Sequence, residues 1–174
     1  MEQRVLLSRP RKSWPTQNIA KVGILFGYGG MVAVFIGLFN ITRGMAAAGG
    51  KGSSYANIAF VLCVALIAGL ITSAGLELGT TEATSAAGGV TLMGVAVALG
   101  SSFQIVLGLT MVLIGIGIVF DKNLHMVVAA MAIITGGILL IASCVEIDSL
   151  GLAGWIGFVL TGLVLDALTL RVKN

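Results

Sequence analysis

Residues 88–120 read GGVTLMGVAVALGSSFQIVLGLTMVLIGIGIVF, an uninterrupted run without one charged side chain. Roughly 20 apolar residues at a rise of 1.5 Å each cross a hydrocarbon core of about 30 Å. As a single helix this run makes a rod of about 50 Å, longer than one untilted crossing requires. Its only polar cluster is Gly100-Ser101-Ser102-Phe103-Gln104, near the middle. Two readings follow. Either one long helix protrudes from the membrane, or the chain turns at Gly100-Ser101-Ser102 into two legs. In the second case the leg Gly88 to Leu99 is short and re-entrant, an arrangement tolerated only where other helices bury it.

Four more apolar runs surround this one: Val22 to Ile41, Ala56 to Leu78, Met126 to Val145, and Leu150 to Leu170. The chain has 174 residues, 57% apolar and 10% charged, with a mean hydropathy of +1.08. A soluble domain carries about 25% charged residues, so this composition cannot cover a water-soluble globule. Long unbroken runs also exclude a transmembrane β-barrel, whose strands alternate apolar and polar residues between aromatic girdles. The fold class expected is all-α: a polytopic transmembrane helix bundle, its five runs giving five or six membrane segments packed through abundant glycine. A basic segment 1–21 precedes one membrane domain, 22–170, and a short basic tail, 171–174, ends the chain. The short loops leave no room for a soluble domain.

Charge arbitrates between the two readings, because Lys and Arg are retained on the cytoplasmic side. With the amino terminus inside and five crossings, the inner side holds Arg4, Arg9, Arg11, Lys12 and Lys21. The outer side then holds Arg43, Lys51, Lys122, Arg171 and Lys173, and no bias remains. A turn at Gly100 moves Lys122, Arg171 and Lys173 inside. The hairpin reading obeys the rule, and it predicts a multi-pass membrane protein with both termini cytoplasmic. A cleaved leader ending near Ala48 is disfavoured, since the apolar run at 22–41 exceeds the 7–15 residues of a secretory core.

Small residues four apart recur: Gly23/Gly27, Ala33/Gly37, Ala65/Gly69, Gly94/Ala98, Ala132/Gly136 and Ala153/Gly157. That spacing puts both on one helix face and lets another backbone approach closely. Gly23, Gly27, Gly37, Gly69, Gly136 and Gly157 are the packing candidates, within the monomer or in a homo-oligomer or hetero-complex. Intramembrane ionisable groups are functional by default, yet few exist here. Asp166 and Gln104 form the candidate intramembrane polar site, and Arg43 and Lys51 the candidate contact with lipids or a partner. Lone His125 follows a loop and lacks companion metal ligands. Cys63 and Cys144 make no disulfide framework.

Function is read mostly by exclusion. The chain contains no phosphate-binding loop, His-Glu-x-x-His, Gly-x-Ser-x-Gly or Cys-x-x-Cys. An enzyme is not expected, nor a cofactor or a bound metal. No basic stripe interleaved with aromatics points to direct nucleic-acid binding. A rotor proteolipid needs a carboxylate well inside a helix, and none is there. Three readings remain. The first is a structural subunit of a multi-protein membrane machine, which needs small-residue faces and no site. The second is a small oligomeric solute channel or carrier, and the third a pilin-like filament subunit built on the two helices around Arg43 and Lys51.

One likeness favours the first. The segment from Asn18-Ile-Ala-Lys-Val-Gly-Ile-Leu-Phe-Gly to Ile41-Thr-Arg-Gly, the loop Gly49-Gly-Lys-Gly-Ser-Ser and the run ending Gly75-Leu-Glu-Leu-Gly-Thr resemble small inner-membrane proteins of conjugative type IVB secretion systems. These are the plasmid TraQ-like proteins, related to the DotE component. The resemblance implies a non-enzymatic component of conjugation or a type IV secretion system, working beside other membrane subunits of the same apparatus. It carries over no functional residues.

Overall fold

Five helices follow one another: α1 (Trp14–Ala47), α2 (Ser53–Glu82), α3 (Ala86–Asp121), α4 (Met126–Val145) and α5 (Asp148–Val172). The computed structural model describes residues 14–83, 85–121, 126–145 and 148–172, and every regular element among them is helical. Asn18–Ala47, α2, α3 and α4 are each long and apolar enough to cross a membrane, while the described apolar part of α5, Ser149–Leu165, is shorter. Helices are the expected outcome for such a chain, because backbone groups in lipid must be satisfied within the segment itself. Residues 1–13 of the basic head, Lys173 and Asn174, Lys122, His125 and the side chains of Asp166 and Arg171 lie outside the described residues.

The turn expected at Gly100-Ser101-Ser102 does not form. α3 runs unbroken from Ala86 to Asp121. Ser101 Oγ donates to the Val97 carbonyl at 3.3 Å and Ser102 Oγ to the Ala98 carbonyl at 3.2 Å. Each hydroxyl thus folds back one turn and is satisfied inside the helix, so the polar cluster exerts no pull toward a loop. The re-entrant leg at 88–99 goes with the turn. α1 begins at one end of the bundle and α5 finishes at the other.

Successive helices are antiparallel, as cross-helix partners show. α1 meets α2 at Lys21–Glu82 and Tyr28–Glu77, and α2 meets α3 at Gly52–Asp121 and Tyr55–Phe120. α3 meets α4 at Gly108–Gly136, and α4 meets α5 at Leu139–Gly154 and Thr135–Gly157. Near the beginning of α5, Gly151 sits beside Gln104 of α3. The first part of α3, Ala86 to about Gly100, therefore extends beyond both α4 and α5. At about 1.5 Å per residue that overhang is roughly 22 Å. Only the start of α1 and the end of α2 accompany it.

The bundle consequently has two halves. In the five-helix half, Phe35, Leu66, Leu107, Met111, Ile114, Ile118, Leu139 and Leu165 are almost fully buried. α3 and α4 close on each other through small residues seven apart on each helix. A methyl group added at Gly136 would stand 2.5 Å from the Gly108 carbonyl oxygen, and one at Gly115 would stand 2.8 Å from the Ala129 carbonyl. The α1–α2 turn packs at the far end. Gly49 takes φ +69 there, the left-handed conformation that ends a helix at low cost in glycine. The Gly52 N–H donates to Asp121 Oδ1 at 2.7 Å, and a side chain on Gly52 would strike the Gly117 carbonyl and the Asp121 carboxylate. Asp121 thereby places a negative charge at the start of α2, where the helix dipole favours one.

The three-helix half is loose by contrast. No residue of 18–34 or 74–82 is buried, and in 86–106 only Ala96 is. Phe26 is 80% exposed and Val90 74%.

Candidate functional site

Between the halves lies a cleft of about 570 Å³. α1 contributes Ala20, Gly23, Ile24, Gly27, Tyr28 and Met31, a single face at helical spacing. α2 supplies Leu70, Ser73 and Glu77 from the facing side, α3 supplies Gly100 and Phe103, and α5 supplies Trp155. Space exists there because several of these residues lack side chains. A methyl group added at Gly23, Gly27 or Gly100 would meet nothing within 4 Å.

Two features give the cleft chemistry. The first is a polar pair: Tyr28 Oη donates to Glu77 Oε1 at 2.7 Å, with both side chains half-buried. Ser73, 8% exposed, lies one turn before Glu77 on the same face. No Lys, Arg or His is among the described residues that line the cleft. Nearby Lys21 is engaged by Glu82 at 2.7 Å in an exposed ion pair. The second feature is aromatic. Phe103 and Trp155 stack with ring planes 6° apart and centroids at 6.3 Å, and Phe103 and Phe158 each meet Phe35 at 5.5 Å. Trp155 meets Phe158 edge-on at 5.9 Å. Four rings from α1, α3 and α5 thus form the seam between the halves, and two of them face the cleft.

The residues singled out in the sequence are scattered around this feature. Gln104 stands against Gly151, fifteen residues before Asp166 on α5. By helix rise the backbones at those two levels are about 22 Å apart, so the pair does not make one site. Arg43 and Lys51 are both exposed at the α1–α2 end. Gly136 abuts Gly108 and Val112; Gly157 faces Thr135, whose Oγ1 would be 2.8 Å from an added methyl group; Gly69 faces Phe103 at 3.7 Å. Gly37 is half-buried. Gly23 and Gly27 border the cleft and touch no other helix.

Three features escape a reading of the sequence. The Tyr28–Glu77 pair joins residues 49 apart in the chain, and only the register of α1 against α2 reveals it. Gly108 and Gly115 recur at seven rather than four, matching Ala129 and Gly136 across the interface. Asn40 is an exposed amide within the apolar span of α1, hidden in the sequence by its place one residue before the end of the run 22–41. It shares an outer face with Val22, Phe26, Gly29, Ala33, Ile36 and Arg43, spaced alternately four and three apart, and all of these are exposed.

These helices define an all-α protein with four membrane-length helices, compatible with a multi-pass membrane protein. Among the described residues, no group of three His, Cys, Asp or Glu side chains is placed to hold a metal ion. No protein-family model, curated protein or solved structure matches the chain.

Proposed function

We propose that this protein is a non-enzymatic structural subunit of a larger inner-membrane assembly, docked to its neighbours through the outer face of α1. The observation that carries this reading is the state of α1. Only 11% of its most apolar window is buried within the chain. Methyl groups at Gly29, Gly30 and Gly44 would meet nothing within 4 Å. Glycine costs a helix about 1 kcal/mol relative to alanine, and in membranes it recurs where another helix approaches. An exposed Asn40 adds a donor and an acceptor suited to an interhelical hydrogen bond.

The finer assignment, a component of conjugation or a type IV secretion system, rests on the likeness of residues 18–80 to the TraQ/DotE-like group. In this reading the partners are lipids, further copies of the chain and other membrane subunits, with Arg43 and Lys51 at a lipid or protein contact. α5 makes a fifth crossing. The amino terminus is cytoplasmic, on the strength of the basic head, because the first helix usually sets orientation. The carboxyl terminus then lies on the opposite side.

The deciding experiment is the mass and composition of the native complex after mild detergent extraction of a carboxy-terminally tagged chain. A large assembly with secretion ATPases or channel subunits is expected, and Asn40→Leu or Gly29→Leu should release the chain from it without preventing membrane insertion. A small homo-oligomer with nothing attached would end this reading. It would favour the second one, a small carrier or channel, which the cleft around Tyr28 and Glu77 supports.

A further inference from the structure

The cleft combines a carboxylate, a phenol and two aromatic faces with apolar walls, and no basic group is among the described residues that line it. That combination selects by charge. An anionic ligand, a phosphate-bearing lipid included, would bring its charge toward Glu77 with no cation among the described wall residues to offset it. A neutral apolar ligand would leave the carboxylate facing apolar surface, at a desolvation cost. A cation removes that cost, and ring faces such as those of Phe103 and Trp155 attract positive charge through their quadrupoles. The volume falls within the 300–1,000 Å³ typical of small-molecule sites.

We infer that this cleft binds a lipophilic organic cation, an amine or onium compound with a bulky apolar body. Its charge sits at Glu77, which Tyr28 holds in place through the 2.7 Å hydrogen bond. Its body lies along Gly23 and Gly27 and against Phe103 and Trp155. The two glycines are thereby explained by access: larger residues on that face of α1 would fill the space the ligand uses. The inference is independent of the assembly role, since the cleft opens on the α1 face opposite Phe26, Gly29 and Asn40.

Tetraphenylphosphonium and tetraphenylborate make a direct probe pair, nearly identical in shape and opposite in charge. Each is titrated into the full-length protein in a sugar-headgroup detergent, which supplies no competing amine. The readout is Trp155 fluorescence in a Trp14→Phe background. The phosphonium should give a saturable change that the borate does not. Glu77→Gln should weaken it tenfold or more, and Tyr28→Phe by a smaller factor. Gly27→Leu should abolish it by filling the cleft while Glu77 stays in place. Equal responses to the two ions in the unsubstituted pocket would overturn the inference without reliance on any variant. So would unchanged phosphonium binding in a Glu77→Gln protein that elutes and melts like its parent. Loss of the native complex in the assembly experiment would leave these titrations unaffected, so the two proposals fail separately.

Discussion

The two halves of the bundle share a composition and differ in what they do with it. Glycine is plentiful in both. In the five-helix half it is spent on contact: Gly108, Gly115 and Gly136 bring α3 and α4 close enough that a methyl group would collide with backbone. In the three-helix half, Gly23, Gly27, Gly94 and Gly100 meet nothing within 4 Å. The same residue type therefore packs one region and opens the other. Aromatic rings mark the boundary, and the Glu77 carboxylate, hydrogen-bonded to the Tyr28 phenol, lies on the open side. A densely packed half beside a loosely packed one is a division soluble proteins make between scaffold and loops; among the described residues helices alone make it.

Substitutions can break that contrast. Phe35→Ala removes a ring with no exposed surface that touches both Phe103 and Phe158. It should cost on the order of 3 kcal/mol by leaving a cavity, read as a lower midpoint in detergent-denaturation curves. Phe26→Ala, on the exposed side of the same helix, should stay within about 0.5 kcal/mol of the parent. If the two variants unfold alike, the halves are not energetically distinct. Gly136→Ala should lose about 1–3 kcal/mol through overpacking against Gly108 and Val112. Gly94→Ala, with open space around it, should be neutral or gain up to about 1 kcal/mol from helix propensity.

Smaller effects sharpen the picture at the two ends. Asp121→Ala removes the acceptor of the Gly52 N–H and should cost about 1–2 kcal/mol, with faster amide exchange at the first turn of α2 as its signature. At the opposite end, Glu82→Gln breaks an exposed ion pair with Lys21 and should leave the melting temperature unchanged, as surface pairs usually do. A large loss there would show the three-helix half to be more tightly held than its exposure indicates.

Much of this architecture is legible in the apolar runs. The run 126–145 coincides with α4, because His125 and Glu146 flank it closely. The other helices outrun their apolar runs by a few residues at most, except α1, which extends well past its run at both ends. α2 continues through Thr80 and Thr81, whose hydroxyls donate to the Glu77 and Leu78 carbonyls at 2.7 Å, so polarity did not end the helix. The same back-bonding explains why the polar cluster at Gly100-Ser101-Ser102 suggested a turn that does not form. Hydropathy registers a serine as polar without registering that its own helix satisfies it. The cleft was illegible for a different reason. Nothing in the sequence pairs Tyr28 with Glu77, because their meeting depends on how two helices slide past one another. Spacing by four singles out Gly136 and Gly157 together with Gly23 and Gly27, although their surroundings are opposite.

All of this hangs on α3 being one rod that carries both halves. Spin labels at Val90 and Phe120, exposed positions on either half, measure that rod directly by electron–electron double resonance. An unbroken helix places the two backbones about 45 Å apart at 1.5 Å per residue. A chain reversed at Gly100-Ser101-Ser102 would bring them to about 15–20 Å, from the leg offset and helix separation. The long distance is expected. The short one would remove the overhang, the cleft and the loose half together.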